Sequence, residues 1–516
     1  MIDSADRAEP SSPNERRRYL AHSAISISRR DRLAMAGILR PDTRADLAPD
    51  ALVSDLLPHD ADLVLERTDP DLVLVETGAF AAGHPWVGAG DPSAADVARR
   101  LLRLLDVTRA IGRPSVMWWT GPRHAMPGLI PFESRFDHVV SSEPGEAGGT
   151  DLGWDPGVQL ARFDPIGIQP DRPVHPVAHG RWEEVPRQGV RAFTEAALDA
   201  LADDRLDLWI DSGATGATWL PERIRSRGVR RVDVDELPDL YRSNGLFLAD
   251  PLTRQTGGPI SASTLRQLAS GARVVSGPNE TLAAALGGWI EGVSEPGDVG
   301  KAVRAAAASG PRTGSAQRAL LRTLFLHHDT TRAITTLAHL AGVSAPTPRR
   351  HICVVARLDG NARPADLLDA VILQRHRPTE ALIDAADPAD AMTAIRELEL
   401  AGIPARALPP SGPERGLARR AASQTSAGWL WLWSSTAEHG PLFLLDSLVA
   451  GMISGASAIG GSAGSQDGFH GSGRFEAHVV SREAAASMPD TGIGWSTAWS
   501  DRGATAYTVG SDPEEG

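Results

Sequence analysis

The chain has 516 residues, a length typical of two to four domains, and 42% of them are hydrophobic. No apolar run approaches the roughly 20 residues of a membrane-spanning helix, and the polar N-terminus lacks an apolar signal core, so we expect a cytoplasmic protein, with peripheral membrane association left open. The net charge of −13 argues against nucleic acid as a partner, and the single cysteine, Cys353, excludes intrachain disulfides and multi-cysteine metal sites.

The first part of the chain alternates apolar strand runs with helical patterns. We expect residues 1–30 to be a disordered tail and residues 31–175 to form one Rossmann-like domain. The run "DLVLVETG" (71–78) predicts a buried strand, and residues 93–112 predict an amphipathic helix with Ser93 as its N-cap. Strand, helix and strand joined by short links indicate a parallel, doubly wound sheet.

Residues 176–343 repeat this organisation and predict a second Rossmann-like domain. Its strand patterns lie at 206–213, 245–250 and 272–277, and a helical pattern over 315–343 closes it.

A third α/β domain is predicted over residues 351–505, after a linker at 344–350 that proline and serine mark by composition. We expect the glycine-rich segment 460–473 to be a flexible loop. The acidic residues 506–516 predict a frayed tail.

Two segments resemble the spore-maturation glycosyltransferase-like family, a GT-B group with two facing Rossmann-like domains. In "AIGRPSVMWWTGPRHAMPGLIPFESRFDHVVSSEPG" the positions that match the family pattern are Pro114, Trp118, His124, Phe136 and Asp137. The stretch "YRSNGLFLADPLTRQTGGPISASTLRQLASGARVVSG" is similar to the family's motif in the second domain. The resemblance implies that the cleft binds a nucleotide sugar and passes the sugar to a cell-envelope glycan, a glycolipid or a protein.

The second motif has a clear chemical logic. A helix that starts after a glycine- and serine-rich loop directs free N–H groups and the positive end of its dipole toward a diphosphate. Here "GGPISAST" places Ser261, Ser263 and Thr264 in or near the first turn of such a helix. The alternative is that these hydroxyls only cap the helix.

Further donor-binding candidates lie nearby. Arg254 and Arg266 are candidates for stabilising the diphosphate leaving group. Gly213 begins a second glycine-rich turn, "GATGAT", which is a candidate phosphate contact but not a P-loop, because no Gly-Lys-Ser/Thr follows.

Acids that the family uses are absent at two positions of these motifs. Arg266 and Gln267 stand where relatives carry a glutamate that grips the nucleotide ribose, and the acidic-Pro turn has become "TGPRH". His124 remains in that turn as a candidate general acid or base, with an ordinary loop histidine as the alternative.

The third domain resembles the opening of family-2 glycosyltransferases, which have a GT-A fold. The metal-binding Asp-x-Asp of that family falls on Trp433, Ser434 and Ser435, within "WLWLWSST". A divalent ion that bridges a diphosphate needs anionic oxygen ligands, which this triplet lacks, so we expect no metal site and no cofactor. Without a metal site, Trp429, Trp431 and Trp433 are either residues of core or interface packing or a sugar-stacking platform.

Two functions follow from these patterns. The first is a metal-independent GT-B glycosyltransferase. The second is a non-catalytic homologue that acts as a glycan-binding module or as a scaffold for another glycosyltransferase.

Overall fold

The computed structural model divides into two compact units, Ile27–Pro346 (the first unit) and Thr347–Gly516 (the second unit). The structure describes part of the chain, in these ranges: 32–81, 83–91, 94–121, 123–142, 152–169, 171–180, 188–201, 206–212, 222–226, 228–249, 260–312, 314–344, 350–358, 362–409, 416–437, 439–460, 468–469, 477–486 and 506–508.

The N-terminal half of the first unit is built on a parallel sheet. Its described strands are β1 (Leu33–Ile38), β2 (Ala51–Asp55), β3 (Leu72–Glu76), β4 (Ser115–Trp119), β5 (His138–Ser141) and β6 (Leu152–Gly153). Its helices are α1 (Pro41–Leu47), α2 (Ala61–Thr68) and α3 (Ala95–Ala110), with short 3-10 helices at Thr77–Phe80, Arg123–Ala125 and Pro127–Arg135. Among the described residues the strand order is β2-β1-β3-β4-β5-β6. The strand order therefore changes direction between β1 and β3.

The C-terminal half of the first unit carries a second parallel sheet. Its described strands are β7 (Pro176–His179), β8 (Asp207–Asp211), β9 (Val229–Val232), β10 (Leu246–Leu248), β11 (Arg273–Ser276) and β12 (Glu291–Gly292). Its helices are α4 (Gln188–Ala200), α5 (Glu222–Arg225), α6 (Leu237–Ser243), α7 (Ala262–Ala269), α8 (Glu280–Leu286), α9 (Val299–Ala308), α10 (Gly314–His327) and α11 (Thr330–Leu340), with 3-10 helices at Gly287–Trp289 and Pro296–Asp298. The described order β12-β11-β10-β7-β8-β9 is that of dinucleotide-binding sheets, and its direction changes between β7 and β10.

The last helix of the first unit returns to the N-terminal half. Ile334 and Leu337 of α11 pack with Leu74 and Val116 of the first sheet, and the Trp154 indole donates a 2.9 Å hydrogen bond to the Ala333 carbonyl. The predicted continuous helix over 315–343 is broken at Asp329, whose carboxylate accepts from the Thr331 N–H and starts α11.

The second unit is built on a mixed sheet. Its described strands are β13 (Ile352–Leu358), β14 (Glu380–Ala385), β15 (Ala405–Ala407), β16 (Trp429–Trp433), β17 (Ala458–Gly460), β18 (Gly468–Phe469), β19 (Ala477–Ser481) and β20 (Ala506–Thr508). Its helices are α12 (Pro364–Leu373), α13 (Pro388–Leu400), α14 (Leu417–Gln424), α15 (Phe443–Ser454) and α16 (Arg482–Ala486). The described strands follow the order β15-β14-β13-β16-β19-β17-β20-β18, and β19 is antiparallel to both β16 and β17.

The expected fold class is confirmed: the first unit has two Rossmann-like sheets, as in the GT-B architecture, and the second unit is the expected third α/β domain. Two local expectations need correction. Gly468–Phe469, within the predicted loop 460–473, pairs with Ala506–Thr508, within the predicted tail 506–516. The reason is that Tyr507 is buried and its strand also pairs with β17, so tertiary contacts order a segment that its polar neighbours made look unstructured.

Some expectations lie outside the described residues, namely the tail 1–30, the N-cap Ser93 and most of the linker 344–350. No described helix is long and apolar enough to cross a membrane.

Candidate functional site

An Arg–Glu pair occupies the switch point of the first sheet. Arg40 follows the carboxyl end of β1, and Glu76 is the last residue of the neighbouring strand β3. The Arg40 Nε donates to Glu76 Oε1 at 2.5 Å, and the Arg40 backbone N–H donates to Glu76 Oε2 at 2.9 Å. In open α/β sheets ligands bind outside the carboxyl ends of the strands at this point, so the pair lies where a ligand crevice is expected.

Burial shapes the charges around this pair. Glu76 has no solvent exposure, and burial raises the pKa of its carboxyl above the ordinary value, while Arg40 opposes the rise. Burial also acts to raise the pKa of Asp42, but Arg40 and Arg266 outweigh it and lower that pKa to about 2. The first turn of α1 therefore carries a carboxylate that stays ionised at neutral pH.

Helix α7 stands at the switch point of the second sheet. It joins β10 to the parallel strand β11, so its N-terminus lies at the carboxyl edge of the sheet, beside the gap between β7 and β10. Ser261 caps the helix by accepting from the Thr264 N–H at 3.2 Å, and its hydroxyl also contacts Ser263 Oγ at 2.8 Å. The Ser261 hydroxyl therefore caps the helix, while the other N–H groups of the first turn keep the positive end of the helix dipole.

Arg266 of α7 connects the two switch points. Its Nη2 donates to Asp46 Oδ2 at 2.6 Å and to Asp42 Oδ2 at 3.3 Å, and its Nε donates to Asp46 Oδ2 at 3.0 Å. Arg162 donates to the other oxygen of Asp46 at 2.6 Å. Because α1 begins directly after β1 and α7 follows β10, this contact brings the carboxyl edges of the two sheets next to each other.

The position of Arg266 differs from the one that a leaving-group cation would need. The side chain is 6% exposed, its guanidinium lies 5.3 Å over the Phe163 ring, and two carboxylates of the N-terminal half already neutralise it. An acid at this position of α7 would face Asp46, itself 1% exposed, and would leave two buried like charges in contact. An arginine at this position therefore fits the two carboxylates that it contacts.

His124 lies at the carboxyl edge of the first sheet. It is exposed and belongs to the 3-10 helix Arg123–Ala125, which follows β4. The turn is held in place by Arg123, which pairs with Glu133 at 2.5 Å and lies 5.6 Å over the Trp119 ring. The two remaining donor-site candidates, Gly213 and Arg254, lie outside the described residues.

A Tyr–His–Asp chain lies at the ends of β7 and β8 and was not anticipated. The Tyr241 hydroxyl is 2.7 Å from His179 Nδ1, and His179 Nε2 is 3.3 Å from Asp211 Oδ1. The sequence signal was present, since "DLWIDSG" and the strand before it both end in a polar residue, as "DLVLVETG" does with Glu76. Glu76, His179 and Asp211 each close an apolar run at the carboxyl edge of a sheet, and this pattern would have identified all three of them.

The tryptophans of β16 belong to the core of the second unit. Trp429, Trp431 and Trp433 are 8%, 0% and 7% exposed, which favours packing over a sugar-stacking platform. Ser434 and Ser435, the other two positions of the Asp-x-Asp counterpart, follow the strand. Among the described residues no three His, Cys, Asp or Glu side chains are grouped to hold a metal ion.

The comparisons with known proteins gave matches among solved structures only. No model of a protein family matches it, and no curated protein matches its sequence. Among solved structures it is similar to a glycosyltransferase from Rickettsia africae, with a TM-score of 0.37 and 9% identity over 63% of this chain and 93% of that one. It is also similar to the glycosyltransferase SnogD from Streptomyces nogalater, with a TM-score of 0.24 and 14% identity over 60% of this chain and 98% of that one. A third, UGT2 from Phytolacca americana, was solved with UDP-2fluoro-glucose and pterostilbene and has a TM-score of 0.28 and 12% identity, covering 63% of this chain and 96% of that one.

Proposed function

We propose that the first unit is a glycosyltransferase that binds a nucleoside diphosphate sugar between its two halves. The observation that carries this is the contact of Arg266 with Asp42 and Asp46, which joins the carboxyl edges of two Rossmann-like sheets. Ligands of open α/β sheets bind at such edges, and this supports a donor site between the two halves. The sequence resemblance of both halves to one GT-B family supports the same function.

The diphosphate of the donor lies at the N-terminus of α7 in this proposal. Ser261 satisfies one N–H of the first turn, and the remaining first-turn N–H groups and the helix dipole stabilise the charge that develops on the leaving diphosphate. The sugar then projects toward the edge of the first sheet, where the Arg40–Glu76 pair and the turn carrying His124 lie. Arg254 remains a candidate cation for the same diphosphate.

The reaction is a substitution at the anomeric carbon. An acceptor hydroxyl oxygen forms the new glycosidic bond, the bond from the anomeric carbon to the diphosphate oxygen breaks, and the nucleoside diphosphate leaves with the electron pair. The hydroxyl proton passes to a base, for which the exposed imidazole of His124 is the candidate. The acceptor proposed from the family resemblance is a cell-envelope glycan, a glycolipid or a protein.

A calorimetric titration with UDP-, GDP- and dTDP-sugars tests the proposal, and the cap residue of α7 provides a matched pair of variants. Both Asp and Asn are good N-caps, so Ser261→Asp and Ser261→Asn are each expected to keep the helix. Only the aspartate places a negative charge beside the diphosphate, so we expect Ser261→Asp to weaken binding at least tenfold and Ser261→Asn to change it little.

The outcomes separate the two functions. No binding of any of these donors by the unmodified chain overturns the proposal. Binding without transfer or hydrolysis, across a panel of glycan, glycolipid and protein acceptors, would instead support a non-catalytic homologue with a partner transferase.

A further inference from the structure

Three side chains contact one another in series beside the carboxyl ends of β7 and β8. His179 is the last residue of β7, Asp211 is the last residue of β8, and Tyr241 belongs to α6. The Tyr241 hydroxyl meets His179 Nδ1 at 2.7 Å, and His179 Nε2 faces Asp211 Oδ1 at 3.3 Å. If Tyr241 donates to Nδ1, Nε2 is the ring nitrogen that carries a proton, and it lies on the side of the ring that faces Asp211. Tyr241 is fully buried, and its ring is fixed edge-on against Phe247 at 5.3 Å, so the orientation of His179 is set by the core.

Hydrogen bonding is incomplete at the Asp211 end of this Tyr–His–Asp series. His179 is 2% exposed, yet neither its Nε2 nor Asp211 Oδ1 makes a hydrogen bond of good geometry to any described residue. The Asp211 side chain is 32% exposed, so one side of the carboxylate is open. Buried polar atoms are normally hydrogen-bonded, which makes an unfilled pair at a sheet edge an indication of a hydroxyl-bearing ligand.

The place of Asp211 in the sheet is specific. It ends β8, the strand next to β7, and β7 borders the switch point. In a Rossmann-like sheet with this strand order, an acid at the end of the second strand hydrogen-bonds the ribose hydroxyls of a bound nucleotide. The spacing from β10 to β8 is about 10 Å, two strand separations, so the ribose and the diphosphate at α7 lie on the same sheet edge.

We propose that Asp211 binds the ribose hydroxyls of the donor nucleotide, with His179 and Tyr241 as positioning residues. This rests on the proposed function, and it supplies the ribose-binding acid that α7 lacks, since Arg266 and Gln267 stand at the position where relatives carry that glutamate. A carboxylate accepts hydrogen bonds from both hydroxyls of a vicinal diol, whereas the hydroxyl-free ring of a dideoxynucleotide gives it none.

The test compares the ribonucleotides UDP and GDP with their 2′,3′-dideoxy counterparts by calorimetry on the full chain. We expect the unmodified chain to prefer the ribonucleotide by roughly tenfold to a hundredfold, the range for a hydrogen bond to a charged group. Asp211→Asn should lose most of that preference and leave the affinity for the dideoxynucleotide unchanged. Tyr241→Phe should reduce the preference in the same selective way, which a general loss of structure would not do.

The same two strands supply the control. His175 and Asp207 form a similar pair at 2.9 Å, but at the opposite, amino end of the sheet. Asp207→Asn is therefore expected to keep the full preference. If the unmodified chain binds a nucleotide but does not distinguish it from the dideoxy form, the assignment of Asp211 is overturned without any variant. An undiminished preference in a folded Asp211→Asn protein overturns it too, whereas failure to bind any of the UDP-, GDP- and dTDP-sugars overturns the proposed function.

Discussion

Two arginines from different parts of the chain donate to Asp46. This arrangement determines how far the free energy of unfolding falls when Asp46 is substituted. Arg162 contacts one carboxylate oxygen and Arg266 the other, both at 2.6 Å, and Asp46 is 1% exposed. Breaking a buried pair by removing one partner is strongly destabilising, because the other charge is left without compensation. The two sides of the pair are unequal, since Asp46 keeps Arg162 if Arg266 is lost.

We predict that Asp46→Asn lowers the free energy of unfolding by about 3 kcal/mol and that Arg266→Met lowers it by less. Urea unfolding of the full chain measures both. Asp96→Asn is the control, because the side chains of the Asp96–Arg99 ion pair are 79% and 75% exposed, and we expect a change within about 0.5 kcal/mol. A similar small effect for Asp46→Asn would contradict this account, and an Arg266→Met protein of normal stability that binds no nucleotide would restore Arg266 to the donor site.

His439 is surrounded by aromatic rings in the second unit. It stacks on Phe443 with ring centroids 3.9 Å apart, and the His478 ring lies 4.9 Å away. Burial, with a contribution from His478, lowers the pKa of His439 to about 4. The folded protein therefore favours the neutral ring far more than the unfolded chain does.

This depressed pKa predicts how stability depends on pH. The histidine pKa of an unfolded chain is about 6.5, so between pH 6.5 and 4 the unfolded state binds the extra proton and stability falls as the pH falls. We expect this histidine to account for about 2 kcal/mol of that loss, allowing for its partial exposure. Urea unfolding at several pH values should show a shallower acid loss for His439→Asn than for the unmodified chain. Equal slopes would show that the ring does not titrate in this way.

At the scale of elements, the packing of β16 against α15 depends on one glycine. A Cβ placed on Gly451 would lie 2.5 Å from Trp429 Cη2, so the indole occupies the space that any side chain there would need. Glycine inside a helix normally costs about 1 kcal/mol relative to alanine, and here the helix accepts that cost to let the tryptophan approach.

We predict that Gly451→Ala lowers the free energy of unfolding by about 2 kcal/mol, despite the better helix propensity of alanine, because overpacking displaces the indole. The control is Gly314→Ala, at the start of α10, where no atom lies within 4 Å of the added Cβ and the change should be neutral or slightly stabilising. Adding Trp429→Leu to Gly451→Ala should recover part of the loss. A stabilised Gly451→Ala protein would refute the close approach.

The elements also show where sequence patterns suffice and where they do not. An apolar run such as 71–78 is a local sequence signal. The strand that it predicts is present because pairing into a sheet is enough to bury those residues. The break at Asp329 also had a local signal, an aspartate followed by two threonines at a helix start. The pairing of Gly468–Phe469 with Ala506–Thr508 had none, because a two-residue strand carries no periodicity.

The candidate site was less accessible to sequence reasoning. Arg266 and Asp46 are 220 positions apart, and nothing in either neighbourhood indicates that they meet. The sequence located α7 and its capping residue Ser261 correctly as a helix start. It did not predict that the arginine of that helix would face carboxylates of the other half, because such pairing is a property of the tertiary arrangement.

For the whole molecule, the apolar core clusters that the described residues of the first unit form contain only residues between 33 and 343. We therefore predict that residues 27–346, expressed alone, bind the donor nucleotide with a Kd within about threefold of that of the full chain, while residues 347–516 bind none. Calorimetry on the two fragments measures this. A soluble, folded 27–346 fragment without affinity would show that the second unit completes the site.

The chain passes between the two halves of the first unit twice, and the two passages touch. The Val158 N–H donates to the His328 carbonyl at 2.7 Å, and the Thr330 N–H donates to the Val158 carbonyl at 3.2 Å. A side chain on Gly157 would lie 2.1 Å from that His328 oxygen, so glycine is required where the passages cross. Gln159, two residues on, donates to the Asp46 carbonyl at 3.0 Å. These bonded crossings join the two halves of the first unit close to the Asp46–Arg266 pair, so any rotation of the halves about the crossings would move this pair less than it moves groups farther away.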